Sequence, residues 1–285
     1  MALFGFFDYN RAGKGISKNE PEKKAFFKFW ELFARKFWKI LLINMLYVLF
    51  CLPVLTIGPA TVALTQVMRR FTLEQPIFLF EEFWTAFKKN FRQGMIIGLF
   101  DIVFIVSAAA SFIFFFWPEL EILITGRTIE TTLFNSIVMS LSVAAGLFIY
   151  MMHFYIYPQI AALTLSMNQI IKNALLLTIL GIKGNLVTLF FSIAIIAGFI
   201  LTIPYSVFFL LFAPFGWISF LAVFNAYPVI QKYIINPFYE SRGEKNPEIP
   251  DYMLNEDEEE PLFEDFGGRE AEIKSKPKLK GKVIK

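Results

Sequence analysis

Long runs of apolar residues with almost no charge dominate the pattern of hydrophobic and polar positions along the chain. A helix that crosses the roughly 30 Å hydrocarbon core of a bilayer needs about 20 such residues. Four regions are long enough, and the last of them can cross twice, with Pro204 at its turn. The pattern therefore predicts an all-α fold, a polytopic transmembrane helical bundle of about five spans. These spans are expected near residues 38–57, 95–117, 133–153, 185–203 and 206–227.

The first apolar run carries residues that interrupt helices. The stretch Cys51–Arg70 contains Pro53, Gly58 and Pro59, and a proline inside a helix removes a hydrogen bond and clashes with the preceding turn. We predict that these residues end or bend the first span and that the apolar residues after them form a separate short helix. If the run folds back on itself, the chain has six membrane segments. Whether residues 58–71 cross the membrane, dip into it or lie on it stays open.

A ten-residue motif occurs twice. The segments "PATVALTQVM" (Pro59–Met68) and "PQIAALTLSM" (Pro158–Met167) match at five of ten positions. A basic segment ending near an asparagine precedes the next predicted span in both places. The similarity predicts one repeated unit, in which a span meets a proline break, continues as a short apolar helix and reaches a further span. Chance similarity between two apolar segments is the alternative.

The composition and the charge distribution indicate an integral membrane protein with a cytoplasmic C-terminus. The chain of 285 residues is 56% hydrophobic and has 36 phenylalanines, far beyond a soluble domain. Nine Lys and Arg residues precede residue 40, and ten follow residue 231. Cytoplasmic segments normally hold this excess. A repeat whose first, third and fifth spans run in one direction would instead place the N-terminus outside, so the N-terminal side stays open.

Two terminal segments differ from the predicted membrane domain at residues 37–235. Residues 1–36 are basic and aromatic, which fits either a helix in the membrane interface or the aromatic belt of a long first helix. Residues 236–285 carry acidic and basic runs without apolar periodicity. Such a tail is expected to be cytoplasmic and largely disordered, because it cannot bury enough surface to order itself.

The residues around the first span carry a family resemblance. At "FWKILLINMLYVLFCLPVLTIGPATVAL" and the later "FKKNFRQG" the chain resembles the YesL-like family, uncharacterised membrane proteins of Gram-positive bacteria. The opening "FFDYNRAGKGISKNEPEK" is also similar to the usual start of that family. The resemblance covers residues 1 to about 235. It implies a polytopic protein found beside carbohydrate ABC uptake systems, with no assigned chemistry and no catalytic residues.

Few side chains within the predicted spans can carry chemistry. Asp101 is the only acid inside a span, and His153 is the only histidine of the chain. A carboxylate within a membrane is costly and is expected to have a partner or a functional role. For Asp101 we favour a structural bond over proton or cation coupling, and for His153 an interfacial position over metal binding. Asn44 and Asn225 are expected to hydrogen-bond between helices.

The sequence offers no motif for catalysis. It has no paired catalytic carboxylates, no nucleophile with a histidine base and no glycine-rich phosphate loop, and its single cysteine forms no metal set. We therefore expect no enzymatic activity, no cofactor and no metal. The expected partners are membrane lipid and other membrane proteins, with no nucleic acid.

Two hypotheses for the function follow. The first is an accessory or regulatory protein that contacts the permease or ATPase subunits of a carbohydrate ABC uptake system. The second is a small-solute transporter with a site at the bent first span, Asp101 and Asn44. A transporter should place polar residues on facing sides of several spans, and the spans offer few, which favours the first hypothesis. Its contact surface would be a basic cytoplasmic face formed by Arg69, Arg70, Lys88, Lys89 and Arg92.

Overall fold

The computed structural model describes residues 24–125 and 133–248. Every regular element in those residues is helical, as the apolar pattern predicts. The helices are α1 (Ala25–Phe50), α2 (Ile57–Thr72), α3 (Leu79–Lys89), α4 (Phe91–Thr125), α5 (Leu133–Ala162), α6 (Met167–Leu180), α7 (Ile182–Leu201), α8 (Tyr205–Leu210), α9 (Pro214–Ile230) and α10 (Asn236–Arg242). A 3-10 turn at Val54–Thr56 precedes α2, and a π-helical turn at Gln231–Ile235 joins α9 to α10.

Four helical segments of the described residues are long and apolar enough to cross a membrane, where the sequence predicted about five spans. They are Phe91–Ser111, Ile137–Ala162, Ile182–Leu201 and Pro214–Arg242. The missing one is the first predicted span. Its helix α1 carries basic residues up to Lys39 and ends at Phe50. The charge-free part of α1 is therefore only about half of the roughly 20 residues that a crossing needs.

Helices α1 and α2 form an antiparallel hairpin with its turn at residues 51–56. Near the turn, the hydroxyl groups of Tyr47 and Thr61 lie 3.2 Å apart. At the opposite end Arg35 forms an ion pair with Glu74, beyond the end of α2. The apolar run 40–67 thus folds back, as one reading of the sequence anticipated.

The two arms of the hairpin have different environments. Most residues of α2 are buried, whereas Trp38, Leu42 and Leu49 of α1 are exposed. Helix α4 crosses the beginning of α2 at Gly58, Gly94 and Gly98. A Cβ atom on Gly58 would lie 2.8 Å from the Cα of Gly98 and closer still to the carbonyl oxygen of Gly94. Only glycine allows the two backbones to come this close.

The start of α1 and the ends of α2 and α9 lie at one end of the helix bundle. The ring of Phe29 packs against Phe224 of α9, with centroids 5.3 Å apart. Arg69, near the end of α2, donates to the Tyr227 hydroxyl near the end of α9. The four apolar helical segments that are long enough to cross a membrane follow this hairpin along the described chain.

The predicted helix break at Pro158, the first residue of the second copy of the motif, is wrong. Pro158 lies inside α5, which continues to Ala162, and the next helix begins only at Met167. Pro59, in contrast, is the third residue of α2. The elements after each proline still occur in the same order. A linker leads to a short helix, α3 or α6, and one residue, Asn90 or Gly181, separates this helix from the long helix α4 or α7.

The ends of the described chain also differ from the expected boundaries. The aromatic residues from Phe26 to Phe33 belong to the continuous helix α1, so residues 25–36 are the beginning of a long first helix. The last predicted span, 206–227, is divided between α8 and α9, with a break at residues 211–213. Residues 236–242, assigned to the tail, form α10, where Arg242 lies over the Phe238 ring. Residues 1–23 and most of the predicted tail lie outside the described residues.

Candidate functional site

Asp101 and His153 lie together, although 52 residues separate them in the sequence. The Nε2 atom of His153 is 2.6 Å from Oδ1 of Asp101, and the Tyr157 hydroxyl donates to Oδ2. Asp101 is on α4, and the other two residues lie one turn apart on the same face of α5. We call these three residues the polar cluster. The cluster is consistent with the expectation that an acid within a membrane has a partner.

The polar cluster lines a cavity of about 640 Å³ between the helices. The Asp101 and His153 side chains are 21% and 19% exposed, so atoms of both remain reachable. The beginning of α2 and the α8–α9 break also line this space, through Ile57, Leu210 and Pro214. Further polar side chains on the wall are Tyr47, Thr61, Thr65, Tyr150 and Ser219. Five helices, α1, α2, α4, α5 and α9, therefore present polar side chains to one cavity.

The hydrogen bonds of the polar cluster restrict its chemistry. The Nδ1 atom of His153 lies 2.7 Å from the carbonyl oxygen of Ile149, which can only accept. The Nε2 atom is occupied by Asp101. Neither ring nitrogen is free to take a proton from a substrate, so His153 is not placed as a general base. The remaining capacity of the cluster is to accept hydrogen bonds, because each Asp101 oxygen has more than one acceptor site.

Asn44 is not part of this site. It is fully buried and does not line the cavity. Its amide nitrogen donates to the carbonyl oxygens of Leu210 and Leu211, and its oxygen accepts from the backbone N–H of Gly216. These bonds join α1 to the α8–α9 break, where backbone groups have lost their helical partners. Asn225 also bonds between helices, through Oγ1 of Thr188.

The five basic residues proposed for a contact surface have different positions. Arg69 is only 6% exposed, and its guanidinium donates to Gln66 and Tyr227. Arg69 is therefore inside the bundle and does not belong to an exposed surface. Arg70 is half-buried and forms an ion pair with Glu82 of α3. The remaining three residues, Lys88, Lys89 and Arg92, are exposed where α3 meets α4.

The sequence indicates Asp101 and His153 as separate candidates, and Tyr157 is a third member of the cluster that was not predicted. The spacing of His153 and Tyr157, four residues apart, was the available signal, because it puts both on one helical face. The structural bonds of Asp101 are made by His153 and Tyr157. Within residues 24–125 and 133–248, no group of three or more His, Cys, Asp or Glu residues is placed to hold a metal ion.

The fold and the cavity define a class: a helical membrane protein with a hydrogen-bonded polar cluster between apolar helices. A family model described as "Protein of unknown function, DUF624" matches residues 40–112. The matched part runs from the charge-free half of α1 into α4 and includes Asp101, but it ends before His153. No curated protein and no solved structure matches the chain.

Proposed function

We propose that the protein is a non-enzymatic membrane protein that binds a small solute beside Asp101, His153 and Tyr157 and carries it across the membrane. The observation that supports this most strongly is the convergence of polar side chains from five helices on one cavity. Carriers typically build such sites between helices, often where helices are broken. Here the cavity includes residues from the start of α2 and from the α8–α9 break.

The arrangement of the helices favours the transporter hypothesis over the accessory hypothesis. In the sequence, polar residues within spans are few and scattered, which argued against a transporter. In the fold, Asp101, His153 and Tyr157 form one cluster, and Tyr47, Thr61 and Ser219 face the same space from other helices. Facing polar residues on several helices are what a carrier requires, so the arrangement favours solute binding.

The proposal is tested by thermal unfolding of the protein in lipid nanodiscs with a panel of small alcohols, sugars, amines and carboxylates. A ligand present at about 100 times its Kd stabilises the folded state by about 2.7 kcal/mol, which raises the unfolding midpoint. We expect at least one class to do so, and the Asp101→Leu variant to lose the effect. Flux of that solute into proteoliposomes then tests transport. No shift with any class, or an equal shift in Asp101→Leu, would contradict the proposal.

A second candidate function is the accessory role beside a carbohydrate ABC uptake system. It is favoured by the exposed basic residues Lys88, Lys89 and Arg92, which adjoin exposed aromatic side chains such as Phe80 on α3. The resemblance to YesL-like proteins of Gram-positive bacteria supports the same role. The partners would be permease or ATPase subunits in the cell membrane, contacted on a cytoplasmic face that also holds the C-terminus.

The accessory role is tested by purification from native membranes in a mild detergent. We expect ABC permease or ATPase subunits to be recovered with the wild-type protein and lost with the pair Lys88→Glu and Lys89→Glu. The matched control is Lys172→Glu with Lys183→Glu, which makes the same charge change at two other exposed lysines. Absence of ABC subunits from the wild-type preparation, or equal recovery with both pairs, would count against this role.

A further inference from the structure

We infer that the cavity binds a neutral amphiphile, a mostly apolar molecule with one hydroxyl or N–H group that donates a hydrogen bond to Asp101. This inference rests on the proposed solute binding and names the chemical class of the solute. Three properties of the site support it. They are the net charge of the polar cluster, the direction of its unused hydrogen bonds, and the occupied hydroxyl groups of Tyr47, Thr61 and Thr65.

The polar cluster carries no net charge. The carbonyl oxygen of Ile149 only accepts, so Nδ1 of His153 carries a hydrogen. The short contact between Nε2 and Oδ1 of Asp101 holds one further hydrogen. Whether that hydrogen is on the imidazole or on the carboxyl group, the two side chains together are neutral. A charged ligand would leave its own charge unbalanced in a poorly solvated site, which is unfavourable.

The polar cluster can form a further hydrogen bond only with a ligand that donates the hydrogen. Both ring nitrogens of His153 are occupied, and the hydrogen of the Tyr157 hydroxyl is directed to Asp101. The free positions are lone pairs of the Asp101 carboxyl group, because each of its oxygens has one hydrogen-bond partner in the protein. A ligand can therefore bind the cluster by donating a hydrogen bond to Asp101, and a pure acceptor such as an ether gains nothing there.

Three hydroxyl groups elsewhere on the wall, those of Tyr47, Thr61 and Thr65, are already used within the protein. Thr61 donates to the carbonyl oxygen of Ile57, and Thr65 donates to that of Thr61. The Tyr47 hydroxyl pairs with Thr61. Most of the remaining wall is apolar and includes Phe104 and Phe154. A sugar would leave several hydroxyls without partners, and burying each of them unpaired is unfavourable. An alkyl chain, in contrast, suits this wall.

Photolabelling can distinguish the ligand classes. The full-length protein in phosphatidylcholine nanodiscs is irradiated with diazirine derivatives of octanol, octane, octyl trimethylammonium and octyl glucoside, and adducts are mapped by mass spectrometry. We expect the octanol probe to label lining residues such as Phe104 and Phe154 about tenfold more than the octane probe. Tenfold corresponds to about 1.4 kcal/mol, the size of one hydrogen bond to a charged or polarised group. Labelling at exposed Phe100 and Val103 of α4 gives the background for lipid-facing positions.

Two further measurements distinguish a loss of ligand binding from a loss of folding. Unlabelled octanol should compete with the octanol probe in the wild-type protein, and octane should not. The Asp101→Leu variant should lose the preference for octanol over octane, while labelling of Phe100 stays unchanged. Stronger cavity labelling by the ammonium or glucoside probe, or equal labelling by octanol and octane, would overturn the inference but leave solute binding intact. Labelling of the cavity no higher than of Phe100 by all four probes would contradict the proposed function itself.

Discussion

The two copies of the proline motif hold helix α4 in different ways. In the first copy the residue before the proline is Gly58, and α4 packs directly on its backbone through Gly94 and Gly98. In the second copy the residue before the proline is Tyr157, and its hydroxyl reaches Asp101 on the same helix. The position just before the motif is thus a close backbone contact in α2 and a member of the polar cluster in α5.

This difference shows that the residues around a proline decide whether a helix breaks there. Pro59 follows a segment that already contains Pro53 and Gly58, and it lies in the first turn of α2, where its missing N–H needs no partner. Pro158 follows a part of α5, residues 147–157, that contains no glycine or proline, and the helix continues for one more turn. The same motif therefore begins one helix and lies near the end of another.

The largest effect is expected where the first copy allows no side chain. Gly58→Val would place carbon atoms against the backbone of α4, which cannot move aside, so we expect a loss of several kcal/mol, above the usual overpacking range of about 1–3 kcal/mol. The measurement is the yield of monodisperse protein in size-exclusion chromatography and its unfolding midpoint. Gly198→Ala is the control, because a Cβ atom there meets nothing within 4 Å. A Gly58→Val protein as stable as this control would contradict the close backbone contact between α2 and α4.

The next effect concerns two adjacent arginines at the end of α2. Arg69→Ala should destabilise the fold by about 3 kcal/mol, because it leaves buried partners of the guanidinium without a donor. Arg70→Ala should cost less than about 1 kcal/mol, since its ion pair with Glu82 is half-exposed. Unfolding midpoints of both variants in the same detergent measure the difference. Equal losses of stability would show that the buried contact of Arg69 with Tyr227 contributes no more than the ion pair of Arg70 with Glu82.

A smaller effect isolates the contact of the second copy with α4. A double-mutant cycle of Tyr157→Phe and Asp101→Ala should give a coupling energy of about 1–2 kcal/mol, the range for a hydrogen bond to a charged or partly charged group. The control cycle replaces Tyr157→Phe by Tyr155→Phe, whose hydroxyl donates to Asn185. That cycle should be additive. Coupling of the same size in both cycles would refute a specific Tyr157–Asp101 contact.

The smallest effect compares the two prolines themselves. Pro158→Ala should stabilise α5 by about 1 kcal/mol, a fraction of the roughly 3 kcal/mol that proline costs inside a soluble helix, because membrane helices tolerate it better. Pro59→Ala should change the unfolding midpoint little, since the residue lies in the first helical turn. A larger change of the unfolding midpoint at Pro59 than at Pro158 would contradict the conclusion that Pro59 is tolerated at a helix start and Pro158 destabilises α5.

Much of the helical framework could be predicted from hydropathy alone. The expected spans 95–117 and 185–203 correspond to α4 and α7, whose apolar segments begin within a few residues of the predicted starts. The hairpin could not be predicted with the same certainty. A charge-free run such as 40–67 suits one long helix or two short arms, and only contacts such as the Arg35–Glu74 ion pair decide between them.

Two of the three members of the polar cluster could be predicted from the sequence, but their assembly could not. Asp101 and His153 stand out as ionisable residues in apolar surroundings. Their contact depends on how α4 and α5 pair, which no local pattern encodes. For Arg69 the prediction was wrong, because a charged residue at the end of an apolar segment was expected on an exposed surface. The fold buries its guanidinium against Tyr227, whose position depends on the arrangement of α9.

Helices α1 and α2 form a hairpin, and we expect its two ends to lie on one side of the membrane. The most direct test is labelling with a membrane-impermeant maleimide in oriented vesicles. Single cysteines replace exposed Ala34 near the start of α1 or Glu74 after α2, with Cys51→Ser in both proteins. The hairpin predicts that Ala34→Cys and Glu74→Cys are labelled from the same side. Labelling from opposite sides would contradict it and would restore a first helix that crosses the membrane without returning.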